Sequence, residues 1–398
     1  MRPASIQKTH AASLFPAIVA AGLCINLTVA IWAVFTRPAL NSDFRGLWSF
    51  AKFSHDQPVR LIYQAAKLQE FQQRIFPAFR SFFPFQYPPS FLLPLWPLGA
   101  FSYPAALALW TLAGLAAMIA AGLIFFKPGQ RCFSVFALLA APASLLNGIG
   151  GETGYFTTAM LLAGFAWLPS RPMLAGAVFG LLTLKPQLGL LIPFALLARG
   201  DYRAILSASL AALALAAISC GCLPAMLWVD WLRVIPAYQA QYAAAAEALN
   251  LNADISLAGT LARLGAAAGT AWAAQALVSL AGAAAVFFTF RRAPYPLAVA
   301  GLLTGSCLCA PHASVYDSIP LTTAILLLRP QSRILVALCL VIYLSPYLLL
   351  TGAGAWFLYA FPETLLFLAI IYLALTPERP SHTRHEPVIA AKFDPKQR

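Results

Sequence analysis

The sequence predicts an all-α polytopic membrane protein, and three observations carry that reading. Of 398 residues, 61% are hydrophobic and only 10% are charged, with a mean hydropathy of +0.76. Soluble domains carry about 25% charged residues, so this chain needs lipid around it. Apolar runs recur along nearly its whole length, separated by short basic clusters. The acidic residues then fall mostly on one side of the topology that those clusters define.

The basic clusters are Arg2/Lys8, Lys127/Arg131, Arg171, Arg199/Arg203, Arg291/Arg292, Arg329/Arg333 and the mixed-charge tail after Thr376. The positive-inside rule makes all of them cytoplasmic. Two crossings fit between each consecutive pair. The approximate spans are 11–36, 103–126, 132–147, 153–168, 173–185, 187–198, 204–224, 271–290, 294–310, 318–328, 334–351 and 354–375. That makes about 12 transmembrane helices with both termini inside. Several are too short to cross alone, which implies tilt, local thinning or broken helices. The first run is too long for a signal-peptide core and lacks a convincing cleavage site, so it reads as a retained helix. Residues 1–375 form one transmembrane domain in this reading, and 376–398 a disordered cytoplasmic tail.

Asp43, Asp56, Glu70, Glu152, Asp230, Glu247, Asp254 and Asp317 all land outside, whereas Asp201 and the tail acids land inside and Glu363 lies within the last helix. The outer face carries two long loops, 37–102 and 225–270, and tight polar turns at 147–154, 185–187 and 311–317. Function concentrates in such loops, so the chemistry is expected to face outward. Within the first loop, Tyr87-Pro-Pro-Ser-Phe-Leu-Leu-Pro-Leu-Trp-Pro-Leu98 is apolar and aromatic but broken by proline. Proline lacks a donor and disfavours helix at the preceding residue, which fits interfacial helices better than a spanning one.

The net charge of +13 comes with no soluble basic module. Topology accounts for it, and nucleic acid is excluded as a partner. Seven cysteines lie mostly inside apolar runs. Cys220-Gly-Cys222 and Cys307-Leu-Cys309 have gaps too short for the usual zinc or redox spacing, so they read as small packing residues. HExxH, GxxxxGK[ST], CxxC and GxSxG sequences are missing, and no metal or cofactor is expected.

Asp43 stands just past the first apolar run, with Arg45 two residues on. Partial desolvation raises a carboxylate's pKa and a nearby cation lowers it, a balance that suits a general base for a hydroxyl. Lys185 ends the apolar run from Ala175 and is followed by Pro186 and Gln187. A lysine there must be neutralised, snorkel or bind an anion, and a phosphate ligand explains it best. His312, in the turn that ends at Tyr316 and Asp317, either contacts phosphate, shuttles a proton or is a satisfied polar residue at a helix end. Glu152 sits in a glycine-rich turn that lets backbone approach a ligand closely. Arg233, Trp228 and Trp231 are substrate contacts or interface anchors.

Several short motifs, in this order, resemble glycosyltransferase family 87. They are Asn41-Ser42-Asp43-Phe44, Tyr87-Pro88-Pro89, Pro94-Leu95-Trp96-Pro97-Leu98 with Trp110, and the glycine turn before Tyr155. The run from Ala175-Gly176 through Gly180-Leu181 to Lys185-Pro186, and Pro311-His312 with Tyr316-Asp317, complete the set. The resemblance covers roughly residues 11–375. It implies the GT-C membrane fold and polyprenyl-phosphate-mannose-dependent α-mannosyl transfer with inversion. It also implies a bacterial inner-membrane location with the site on the periplasmic side.

By that resemblance Asp43 is the base, and Lys185 and His312, with Arg45 nearby, hold the donor phosphate. Tyr87, Glu152, Gln187, Tyr316 and Asp317 are further candidate substrate contacts. One departure is Gly151-Glu152, where family members often have Gly-Gln. The expected partners are the bilayer, a polyprenyl-phosphate sugar as donor substrate, and a glycolipid or glycan acceptor. The rival reading is a multi-pass transporter or flippase for an anionic lipid-linked sugar. Transporters, however, hold ligands near the midplane, and here the polar residues gather on one outer face.

Overall fold

A computed structural model describes residues 16–31, 43–77, 82–244, 254–330, 332–349 and 359–376. The basic N-terminal stretch, Asn41 and Ser42 of the first motif, Glu247, and the tail beyond residue 376 lie outside these. Helix α1 (Pro16–Ile31) is followed by α2 (Phe44–Asp56), α3 (Ala65–Ile75) and α4 (Leu92–Leu95) in the first long loop. Then come α5 (Tyr103–Phe125), α6 (Arg131–Ala140), α7 (Pro142–Gly150), α8 (Gly154–Trp167), α9 (Pro172–Leu181), α10 (Ile192–Arg199) and α11 (Tyr202–Cys222). Helices α12 (Met226–Ala244) and α13 (Leu257–Arg263) lie in the second long loop, whose described residues are largely helical. The chain ends with α14 (Ala268–Arg292), α15 (Tyr295–Leu308), α16 (Ile319–Leu328), α17 (Arg333–Leu344) and α18 (Ala360–Leu375).

Within the described residues, every apolar stretch expected to cross is helical. Helices α5, α11 and α14 are long and apolar enough to cross a membrane by themselves. Helices α6 and α7 form a further candidate as one broken span, bent by 60°. The sequence reading had one helix there. Pro142 opens α7, and Ala141 before it is extended (φ −61, ψ 132), as a residue preceding proline prefers. The break redirects α7 before the glycine-rich turn that follows.

Burial separates the helices into inner and outer sets. Leu206, Leu210, Leu213 and Ile218 of α11 are exposed, and an apolar surface of that extent belongs against lipid tails. Helix α15 is buried on all sides from Ala298 to Leu308, and a helix apolar all round belongs in the interior. Glycines set the closest approach: a Cβ on Gly180 of α9 would lie 2.5 Å from Ala208 O of α11. Small residues at such spacing let backbones touch without a hydrophobic driving force.

The first long loop builds a second apolar core, separate from that of the helical body. Phe44, Phe50, Phe53, Phe71, Phe85 and Phe91 are buried together with Trp110 and Leu227. Edge-on ring pairs such as Phe50 with Phe85 (5.0 Å) and Phe53 with Phe71 (5.2 Å) fix their geometry. The proline-broken stretch becomes a 3-10 turn (Pro89–Phe91), α4, and a second 3-10 turn (Trp96–Ala100). Trp96 and Phe101 remain exposed. Trp231 of α12 donates to Gln86 O (3.1 Å), which ties the second long loop to the first.

Candidate active site

The turn between α7 and α8 is where the remote segments meet. Gly151 adopts φ +66, a left-handed conformation that glycine takes without steric cost. A Cβ there would lie 2.6 Å from both Phe44 Cβ and Leu107, so the turn is pressed against the residue that follows Asp43. A Cβ on Gly154 would strike the carbonyl of Tyr316 and come within 2.6 Å of Asn147 Oδ1. Two glycines thus seat one turn against the start of α2 and against the segment leading into α16.

Lys185 reaches the same turn from the other side. The 3-10 turn Leu182–Leu184 ends α9, Lys185 is extended (φ −137, ψ 73), and Pro186 begins the next 3-10 turn. The break frees the side chain, which is only 5% exposed. Its ammonium donates to Asp317 Oδ1 (2.5 Å) and to Thr153 Oγ1 (3.1 Å), and lies 5.0 Å from the Tyr316 ring centroid. Asp317 uses its other oxygen to accept from Ser314 N (3.1 Å), closing a capping box. Of the three fates open to Lys185 in the sequence, neutralisation by a carboxylate is the one present. A phosphate would therefore meet an ion pair here, not a lone cation.

His312 is held by a residue that sequence reasoning passed over. Asp254 Oδ2 lies 3.0 Å from His312 Nδ1, and Asp254 Oδ1 accepts from Ser256 N (2.8 Å). A backbone bond from Ile255 N to Ala313 O (2.7 Å) and a bridge between Asp254 and Ser314 clip the strands together. Burial works against charge on both groups. Their mutual attraction nonetheless holds the Asp254 carboxyl below and the His312 imidazole above their ordinary values. His312 also feels Lys185 and Asp317, which places it in the same electrostatic neighbourhood. The Asp-Ile-Ser cap before α13 was the available signal for Asp254, but nothing in sequence linked it to a histidine 58 residues away.

Asp43 is exposed at the N-terminus of α2, its carbonyl accepting from Gly46 N (2.8 Å). Its carboxyl lies within electrostatic reach of that of Glu152, which is 6% exposed. Burial raises the Glu152 carboxyl well above its ordinary range, and the charge of Asp43 adds to the effect. Tyr87 is half-buried, stacks on Phe91 (4.2 Å), and offers its carbonyl to Tyr63 OH (2.8 Å). Gln187 is half-buried in the 3-10 turn after Lys185. Arg45 is buried, with its guanidinium 5.7 Å from the Phe76 centroid.

Such a cluster joins carboxylates, an ammonium and an imidazole within an apolar helical body. Proton transfer and anion stabilisation are the chemistry it supports. The sequence profile of glycosyltransferase family 87 matches residues 85–311, more than half of the chain. The chain belongs to that family. It is a glycosyltransferase with a helical, membrane-type body. The match takes in Tyr87, Glu152, Lys185, Gln187 and Asp254, begins after Asp43, and stops one residue before His312. No curated protein and no solved structure matches the chain.

Proposed function

We propose that this glycosyltransferase moves a hexose, mannose on family grounds, from a polyprenyl-phosphate donor to an acceptor hydroxyl. The acceptor is a glycolipid or glycan, and the reaction runs at the outer face of a bacterial inner membrane. The observation that carries this reading is the meeting of Asp43, Glu152, Lys185, Asp317 and His312 around the turn 151–154. These groups come from four separate stretches of sequence, His312 and Asp317 sharing one turn, and an apolar helical body lies beside them.

Asp43 takes the proton of the acceptor hydroxyl as that oxygen attacks the anomeric carbon, and the bond from that carbon to the phosphate oxygen breaks. Inversion at a β-linked donor yields an α product. The departing phosphate gains negative charge, which His312⁺ and the Lys185 ammonium stabilise. Asp317 fixes the Lys185 head group, and Asp254 keeps His312 protonated. A sugar on a phosphodiester is already activated, so the leaving group needs charge stabilisation and no proton. In this reading the remaining apolar helices complete a GT-C body of about 12 crossings, with both termini cytoplasmic.

The test is to reconstitute the purified protein in lipid nanodiscs with synthetic polyprenyl-phosphate sugars and a membrane lipid extract. A new glycosylated species formed from the mannosyl donor supports the proposal. Movement of the lipid-linked sugar between leaflets, with no sugar transferred from any donor, would favour a flippase instead.

A further inference from the structure

Two proline breaks, one in each long loop, open a cleft away from the polar cluster. Gln57 is extended before Pro58 (φ −131, ψ 157), and the chain enters a 3-10 turn, Val59–Leu61. Leu223 is extended before Pro224 (φ −129, ψ 158), where the chain turns from α11 into α12. A residue before proline prefers that conformation. Between the two turns lies a cleft of about 410 Å³, lined by apolar Leu61, Pro224 and Leu227 and by polar Arg60, Gln64 and Asp230. Sites for small molecules run from about 300 to 1,000 Å³.

The walls of the cleft are braced. Trp228 Nε1 donates to Ser219 Oγ of α11 (3.0 Å), and Trp231 Nε1 donates to Gln86 O of the first long loop (3.1 Å). Leu227 is fully buried in the same aromatic cluster as Phe44, the neighbour of Asp43. The polar groups are spread apart. Arg60 and Gln64 are exposed, and among the described residues their side chains make no hydrogen bond or ion pair. Asp230 meets only Arg233, at 3.7 Å and close to solvent, a weak contact. The cleft thus presents a guanidinium donor, a carboxylate acceptor and an amide that does both. A phosphate there would satisfy Arg60 but oppose Asp230. Neighbouring hydroxyls of a neutral sugar satisfy all three, because each hydroxyl both accepts and donates.

We propose that this cleft binds a neutral sugar unit of the acceptor, remote from the hydroxyl that reacts. Its hydroxyls accept from Arg60 and Gln64 and donate to Asp230, while the C–H face of the ring covers Leu61 and Pro224. Helix α2 runs 13 residues between Asp43 and the cleft, about 20 Å at the helical rise. The acceptor is therefore a glycan of several sugars, free or carried on a lipid. This assignment rests on the reading of Asp43 as the base. Binding energy gathered far from the reacting atoms then holds the acceptor hydroxyl in place.

The experiment uses the full-length protein in phosphatidylglycerol nanodiscs and fluorescently labelled linear trisaccharides of mannose, glucose and galactose. Fluorescence anisotropy is expected to show binding of at least one of them. Arg60→Ala and Asp230→Ala are each expected to weaken it about 10- to 100-fold, the value of a hydrogen bond to a charged group, at an unchanged melting temperature. In sugar transfer to that trisaccharide, both variants are expected to raise the acceptor KM and keep kcat. Affinity or acceptor KM the same in the wild type and both variants, or no trisaccharide bound by the wild type, overturns the proposal. So does phosphatidylethanolamine that co-purifies with the wild type and is lost from both variants, since its zwitterionic head group is then the occupant. Should the wild type bind a trisaccharide through these residues yet transfer no sugar, the proposed reaction fails while the sugar site stands.

Discussion

At the residue scale, the ion pair of Lys185 and Asp317 combines high cost with tight constraint, because both side chains are almost wholly buried. Removing one member leaves the other charge stranded, which costs about 3–5 kcal/mol. Lys185→Met or Asp317→Leu should each destabilise the protein by that amount in denaturant titrations in detergent, and the double variant should recover much of the loss. The pair of Asp254 and His312 makes a different prediction. The His312 contribution is complete below its unfolded pKa and fades as pH rises through its raised folded value. The Asp254 contribution is present above its unfolded pKa and fades as pH falls through its lowered one. Donor affinity, measured by titration with a polyprenyl-phosphate sugar, should thus weaken on the alkaline side. Asp254→Asn should bring that weakening to lower pH. Lys185, His312 and Asp317 each stood out in the sequence as polar residues at the ends of apolar runs. Their pairings did not, because partners 132 and 58 residues apart leave no local pattern.

At the element scale, glycines and prolines do most of the positioning. Gly151 holds a left-handed conformation against Phe44 and Leu107. Alanine there pays about 1–2 kcal/mol for backbone strain and collides with both neighbours. Gly151→Ala should lower sugar transfer more than it lowers the melting temperature, since the displaced turn carries Glu152 and Thr153. Comparison of the two readouts in one preparation checks this. The glycine turn was visible in sequence as a place for close approach, although what approaches is protein: the side chains of Phe44 and Leu107 at Gly151 and the Tyr316 carbonyl at Gly154. Pro142 was equally visible, yet the reading ran helix straight to residue 147. The apolar run hides a break that the missing N–H and the extended residue before it impose.

At the scale of the whole molecule, composition and the spacing of basic clusters located the helices well. Lipid demands internally satisfied backbone, which leaves helices as the natural choice for long apolar runs. The outer loops were less legible. Alternation of aromatic residues and proline pointed to interfacial helices, whereas the first loop also builds a buried aromatic core with Trp110 and Leu227. The second long loop was read as a loop, but its described residues form α12 and α13 and deliver Asp254 to His312. Such packing depends on contacts between distant segments, which periodicity does not report. If the polar cluster faces outward, a cysteine replacing half-exposed Gln187 should react with a membrane-impermeant maleimide in spheroplasts and be protected in inside-out vesicles. The opposite pattern would invert the topology.

The central claim is that Asp43 removes the acceptor's proton in a pocket that binds its donor by other residues. Single-turnover sugar transfer by Asp43→Asn, with donor affinity measured in parallel, tests it most directly. Transfer should fall by about 10²–10⁴-fold while donor affinity stays close to that of the wild type. Transfer at the wild-type rate in that variant would contradict the account.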